Sequence, residues 1–432
     1  MKIAEKRRVV VTGLGLATAL GLDVYECWDK VLRGVSGIGT LKLKGAEKSP
    51  VQAAAGISEA DFKRIETEFQ DDLQRAGERR TLFSLWASKC AMEDAALLSF
   101  DGKRWRYGTV LAAGAPVNRL EDIYRHISAD KKFDYESYMC NLNEIHPESM
   151  LRNNSSRAAA LIAGKFNLNG VNATVTTACA SATQAIGVAF NIIRDGRQDV
   201  IVAGGADSMI NPVGLVFFVL LGAASVAAEK PELLCRPFDK KRSGLVMGEG
   251  SGMVVLEELQ HAKNRGAKIY CEVAGYGSSM DAWQVTAPHP QGAGAEASMA
   301  EALRDSGIGI DGIDYINAHG TSTKLNDTAE TLAIKKVFGG YAKDICISSS
   351  KSMTGHLLAA SGGPEFVFTV LSTRHDEIHP TINLTNPDPK CDLDYVPNVK
   401  RTKTVRAALS NSFGFGGQNA SVVVKKYHDR LV

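Results

Sequence analysis

The chain has 432 residues, 44% of them hydrophobic and 23% charged, which suits one large two-lobed unit or two directly packed domains and excludes a fibrous, disordered or disulfide-stapled class. Fifty Lys and Arg against 48 Asp and Glu leave a net charge of +2, so bulk electrostatics give no case for nucleic acid or a membrane surface as partner. The eight cysteines are scattered with no C-x-x-C pair and no metal-ligand spacing to histidine; this is the usage of a reduced, cytoplasmic protein, and no metal or nucleotide site is expected.

Residues 2–8 are rich in Lys and Arg, and residues 9–11 are three valines. The pattern imitates a secretory leader, but Thr12, Gly13 and Gly15 interrupt the apolar run. The segment therefore reads as a buried first strand closed by a glycine turn. Strand-like runs follow at 107–113, 173–177, 200–203, 253–256, 269–276, 315–318, 345–348 and 422–425, with helical stretches such as 297–306 between them. That alternation is an α/β pattern with buried sheets. The run 213–228 holds sixteen uncharged residues against the roughly 20 a spanning helix needs, and is expected to line a pocket or an interface rather than insert into a membrane. RRVVVTGLG near the start and KIYCEVAGYGSS at 268–279 share a basic entry, a strand and a glycine turn. On this reading the halves 1–266 and 267–432 are a duplicated α/β unit, with the boundary where the helical segment 257–266 meets the strand at Ile269.

Four segments carry side chains suited to chemistry. In TTACASATQAIGVAFNII a strand meets a helix at Cys179, and the small Ala178, Ala180 and Ala182 leave it open to approach. A thiol at a helix N-terminus has its thiolate favoured by the macrodipole, with backbone N–H groups at hand for an oxyanion; a buried packing cysteine is the other reading of this segment alone. In YINAHGTSTKLNDTAE a strand end delivers His319 into a loop with Thr321 and Thr323, and Asp327 and Glu330 enter the next helix. This suits a site that admits a flexible substrate, or a structural histidine in a capped loop. In SSSKSMTGHLLAASGGPE, Lys351 precedes His356 in a loop of small residues, and His356 is expected to start a helix whose dipole favours neutral imidazole. In NSFGFGGQN (411–419), glycines around Phe413 and Phe415 allow backbone N–H groups to approach a ligand, the phenylalanines acting as lids or as packing plugs.

In this order and spacing the four motifs resemble the β-ketoacyl-[acyl-carrier-protein] synthases, of the elongating type similar to synthase II. RPFDKKRSGLVMGEGSGMVVLEEL (236–259) and PTINLTNPDPKCDLDYVPN extend the resemblance over nearly the whole chain. It implies a thiolase-like α/β fold, two duplicated βαβαβ halves in a layered αβαβα core, usually as a homodimer. It also implies an acyltransferase of fatty acid elongation. Cys179 would take an acyl group from acyl carrier protein, with the oxyanion held by the N–H groups of Cys179 and Phe415. His319 and His356 would then donate hydrogen bonds to the malonyl thioester oxygen as carbon dioxide leaves, and the enolate would attack the acyl-Cys carbonyl. The substrates ride on the phosphopantetheine of the carrier, and no other cofactor is implied. By the same resemblance Lys351 orders the charge network with Glu330 as its partner and Asp327 in support, and Glu365 partners His356. Thr321 and Thr323 bind the pantetheine arm, Phe415 gates the acyl pocket beside Phe413, and Ala115 and Phe218 line it.

Several positions depart from the family pattern. GQN replaces the usual GTN. AGAPVNRLEDIY lacks the usual glycine-rich stretch and sets Ala115 where a larger aliphatic residue often closes the pocket. The apolar run 214–228 replaces a segment that commonly carries a carrier-facing arginine, and Pro364 enters the loop before Glu365. These changes bear on acyl length and carrier identity. Arg75, Arg79 and Arg80 read either as a group for an acidic carrier helix or as an ordinary solvated helix face. A thiolase would need a second cysteine near the C-terminus, and none follows Cys391; a noncatalytic chain-length subunit would lack Cys179. A ketosynthase of a dedicated polyene or polyketide pathway remains an alternative to bulk elongation.

Overall fold

The computed structural model describes residues 6–99, 104–114, 124–141, 143 and 154–428; Ala115 and its neighbours 116–123 lie outside them. Ten strands are hydrogen-bonded into one mixed sheet: β1 (Val9–Ala17), β2 (Tyr107–Ala113), β3 (Asn172–Val175), β4 (Val200–Ser208), β5 (Glu249–Glu258), β6 (Cys271–Met280), β7 (Tyr315–Asn317), β8 (Cys346–Ser348), β9 (Ala407–Gly414) and β10 (Gln418–Lys426). Side by side they run β8, β7, β9, β10, β6, β1, β5, β4, β2, β3. The strands that precede residue 266 thus lie on one side and those that follow it on the other. They meet where β1 pairs antiparallel with β6, Val9 opposite Val273 and Val11 opposite Cys271.

Every residue of β1 is buried, as are the first eight of β4, because helices cover both faces. That burial on two sides explains why these strands read as apolar runs rather than alternating ones. Helix α1 (Arg79–Asp94) with α2 (Arg157–Lys165) packs outside the first half-sheet, and α5 (Ala293–Ser306) with α6 (Lys324–Phe338) packs outside the second. Between the half-sheets lie α3 (Ser181–Arg194) and α8 (Gly362–His375). In α8 every residue from Gly362 to Thr373 is buried, the signature of a helix enclosed on all sides. The result is the five-layer αβαβα arrangement. Its central apolar cluster joins Ile186 and Phe190 of α3 to Phe366, Val367 and Val370 of α8.

One local expectation is corrected, and one strand was not foreseen. Gly13 and Gly15 do not close the first strand, which continues to Ala17. They admit α1: a Cβ at Gly13 would lie 2.1 Å from Ala91 O, and one at Gly15 would lie 1.9 Å from Ala87 O. Strand β9 was hidden because its sequence AALSNSFG is half polar, although Ser410, Asn411 and Ser412 are all buried between layers. The apolar run after residue 212 forms α4 (Pro212–Leu220), nine residues long, with Leu215 and Phe218 buried and Val216, Phe217 and Leu220 exposed. Among the described residues no helix is long and apolar enough to cross a membrane.

Candidate active site

Cys179, His319 and His356 face one cavity of about 350 Å³, whose wall also holds Thr321, Thr323, Phe413 and Phe415. The cysteine occupies the turn from β3 into α3. Ala178 before it takes a left-handed φ of +48°, a conformation costly for a residue with a Cβ, and Ala180 caps the helix. A sharp, strained strand-to-helix turn of this kind lifts a side chain clear of the sheet. The Sγ of Cys179 and a ring nitrogen of each histidine lie within 4.8 Å of one another.

The expected helix-end thiolate is not the resting state. Burial pushes the Cys179 thiol up to about 11, outweighing the Lys351 charge and the Phe415 N–H aimed at the sulfur, both of which favour thiolate. Desolvation of a fully enclosed sulfur dominates here, as it does for a carboxylate or phenol taken out of water.

His319 follows β7. Its backbone N–H and that of Gly320 each donate to the Glu330 carboxylate at 2.8 Å, which burial has raised to about 7. Behind the ring, Lys351 Nζ donates to His319 O at 2.6 Å and to His319 Nδ1 at 3.2 Å, and it pairs with Glu365. Nδ1 is therefore the acceptor nitrogen, and Nε2 carries the hydrogen. His356 reaches the same state by other means: its Nδ1 accepts from Leu358 N–H at 3.0 Å and from the Ser361 hydroxyl at 2.7 Å. The rings stand 5.3 Å apart at 83°. Burial first, and then the Lys351 charge, hold both well below the ordinary histidine range. The pair is neutral, with two N–H donors directed away from their anchors.

Four expectations change here. His356 does not start a helix; it lies between α7 (Lys351–Thr354) and the turn Leu358–Ala360, and its neutrality comes from burial and Lys351 rather than from a dipole. Lys351 pairs with Glu365, not Glu330, and the side-chain partner of His356 Nδ1 is Ser361, not Glu365. Pro364 lies in the first turn of α8 rather than in a loop, where its missing N–H breaks no helical bond. The buried Asp327 accepts N–H bonds from Phe238 at 2.9 Å and Thr321 at 3.1 Å, shaping the loop without entering the cavity.

The Thr321 and Thr323 hydroxyls lie 2.9 Å apart on the cavity wall. Phe413 meets His319 edge-on at 5.9 Å. Phe415 stacks on Phe218 of α4 at 6.4 Å; the left-handed Gly416 and Gly417, with φ of +78° and +77°, turn the chain behind it. The arginine group does not assemble. Arg80 is buried, donating to Gly114 O at 2.8 Å and paired with Glu78, while Arg79 is paired with Glu249 at 2.6 Å and lies 3.9 Å over Phe62. Sequence reasoning also missed Asp207, a buried acid after the glycines of β4 whose carboxylate reaches Ala359 N–H. The signal was an acid closing the apolar run VAGGADS.

Three donors at this spacing are also a geometry that a metal accepts. Here, however, the Lys351 ammonium sits 3.2 Å behind His319 and both rings present N–H. The set is built to face developing negative charge rather than a cation.

The family model described as "Beta-ketoacyl synthase, N-terminal domain" matches residues 6–262, and its C-terminal counterpart matches residues 270–385. The chain is 40% identical over 424 residues to a 3-oxoacyl-[acyl-carrier-protein] synthase 2 of Synechocystis sp., covering 98% of this chain and 99% of that protein. It is 38% identical over 430 residues to the synthase 2 of Coxiella burnetii, covering 98% and 100%. A solved ketosynthase, in a complex described as a type II PKS acyl-carrier protein with its ketosynthase bound to the hexaketide, superposes with a TM-score of 0.87 at 34% identity, covering 98% of this chain and 100% of that one.

Proposed function

The chain belongs to the β-ketoacyl synthase family, and from that premise we propose that it is a 3-oxoacyl-[acyl-carrier-protein] synthase of fatty acid elongation in which Cys179 carries the acyl chain. The observation that carries this reading is the convergence of Cys179 with two neutral, N–H-donating histidines.

In the first half-reaction the Cys179 sulfur attacks the thioester carbonyl of an acyl carrier protein. The N–H groups of Cys179 and Phe415 hold the oxyanion, and the carrier leaves as a thiol with the proton that the cysteine gave up. The pantetheine arm runs past Thr321 and Thr323, and the acyl chain passes Phe415 toward Phe218. In the second half-reaction malonyl carrier enters. The bond to its carboxylate breaks, carbon dioxide leaves, and the electron pair becomes an enolate whose oxygen accepts from Nε2–H of His319 and of His356. The enolate carbon bonds to the acyl carbonyl, and the Cys179 thiolate departs and takes a proton from solvent. Neutral donors suit this step because they gain strength as charge develops in a dry site, each such donor contributing about 10²–10³ in rate. Lys351 and Glu365 keep the His319 ring oriented.

The reading includes a homodimer of two such chains, each divided into halves at 1–266 and 267–432. The outer edge of β3, at the end of the ten-strand sheet, is unpaired among the described residues, and β3 is partly exposed; an open edge of that kind invites a second strand. The cytoplasm is the compartment that the reduced cysteines favour. A second reading, a ketosynthase of a dedicated polyketide pathway, draws on the likeness to the type II PKS ketosynthase.

The test is incubation of the protein, beside Cys179→Ala, with acyl carrier proteins of graded chain length and malonyl carrier protein. Wild type alone should yield a β-ketoacyl product two carbons longer. Preference for saturated chains assigns it to elongation, and turnover of polyketide carriers alone assigns it to the second reading. Equal product from Cys179→Ala overturns both.

A further inference from the structure

Strand β4 reaches Asp207 near its end, and the carboxylate is buried against the backbone that follows β2: a Cβ at Gly114 would lie 2.3 Å from Asp207 Oδ2. The two oxygens are used separately. Oδ1 accepts the N–H of Ser208 at 2.9 Å, and Oδ2 accepts the N–H of Ala359 at 3.0 Å. The second bond spans the molecule, from a strand of the first half-sheet to the Leu358–Ala360 turn in the second half of the chain. That turn contains a strained residue, since Leu358 has a φ of +54°, a left-handed conformation that a leucine holds only where its surroundings impose it. The N–H of Leu358 itself donates to His356 Nδ1, and the next N–H along the chain is the one that Asp207 holds.

We propose that Asp207 is a positioning residue for His356: by anchoring Ala359 N–H it keeps the strained Leu358 N–H on Nδ1, and so keeps the Nε2–H of His356 facing the cavity. A carboxylate suits this work because a hydrogen bond to a charged acceptor is shorter and stronger than one to a neutral group. Asp207 acts on one half-reaction more than the other. Acylation of Cys179 draws its oxyanion donors from backbone N–H groups, whereas decarboxylation draws on the ring of His356. The proposal rests on the reading of His356 as a donor to the malonyl thioester.

The experiment measures both half-reactions separately for the full chain: acyl mass gained by Cys179, and carbon dioxide released from malonyl carrier protein. Wild type is run first, and if it releases none, it is the functional reading that fails. With wild type active, Asp207→Ala should lower carbon dioxide release at least tenfold and change acylation less than twofold. Asp207→Asn, which retains one oxygen for Ala359 N–H, should fall between the two. Parallel loss of both half-reactions, or no loss in Asp207→Ala, overturns the proposal. Should the alanine variant not fold, Asp207→Asn is read alone: a fall of threefold or more in carbon dioxide release with acylation intact supports the role, and any other result overturns it.

Discussion

The chemistry of single residues is set by burial more than by helix ends. Cys179 is a thiol with its ionisation pushed up to about 11, so raising pH increases its thiolate fraction throughout the neutral and mildly alkaline range. Alkylation of Cys179 by iodoacetamide, followed by peptide mapping, should accelerate about tenfold per pH unit between pH 7 and 9. A plateau beginning near pH 7 would show a thiolate at rest and contradict the assignment. Lys351 is fully buried between Glu365 and His319. Lys351→Ala leaves an unpaired acid in the interior and frees the His319 ring, so stability should drop by about 3–5 kcal/mol and condensation should be lost with it. Denaturant unfolding and a product assay check the two parts; an unchanged unfolding midpoint would show that the pair is not buried as described.

At the scale of elements, close approach of backbones decides what the glycines do. Because a Cβ at Gly15 would meet Ala87 O at 1.9 Å, Gly15→Ala should push α1 off β1 and cost about 1–3 kcal/mol. Thermal unfolding reads this directly, and a variant as stable as the wild type would mean that the helix is free to move. The same glycines show the limit of the sequence. Valines 9–11 announce a buried strand, but nothing in a linear reading tells a glycine that ends a strand from one that admits a helix. β9 escaped detection because its polar residues are buried inside the molecule, Ser412 bonded to Thr183 and Asn411 to Ser421, where polarity normally marks a surface. Three of the motif segments were legible because each places a reactive side chain among small residues near a strand end, and the fourth because its glycines flank two phenylalanines. Their partnerships were not: Lys351 to Glu365 and Glu330 to the His319 backbone depend on how α6 and α8 approach the loops, which spacing along the chain does not encode.

For the whole molecule, the two half-sheets bring residues far apart in sequence to one cavity, the cysteine from the first half and both histidines from the second. The layers leave β3 at the rim, partly exposed. Sedimentation equilibrium should therefore return about twice the 46.3 kDa of one chain, and a purely monomeric mass would remove β3 as an interface. The central claim is that one cavity divides its labour, Cys179 holding the acyl chain and the two histidines forming the carbon–carbon bond. Intact-protein mass spectrometry of His319→Ala and His356→Ala, incubated with acyl carrier protein and then with malonyl carrier protein, tests it most directly. Both variants should gain the acyl mass and keep it after malonyl carrier is added, while wild type sheds it as β-ketoacyl product. Release of product by either variant at the wild-type rate would contradict the account.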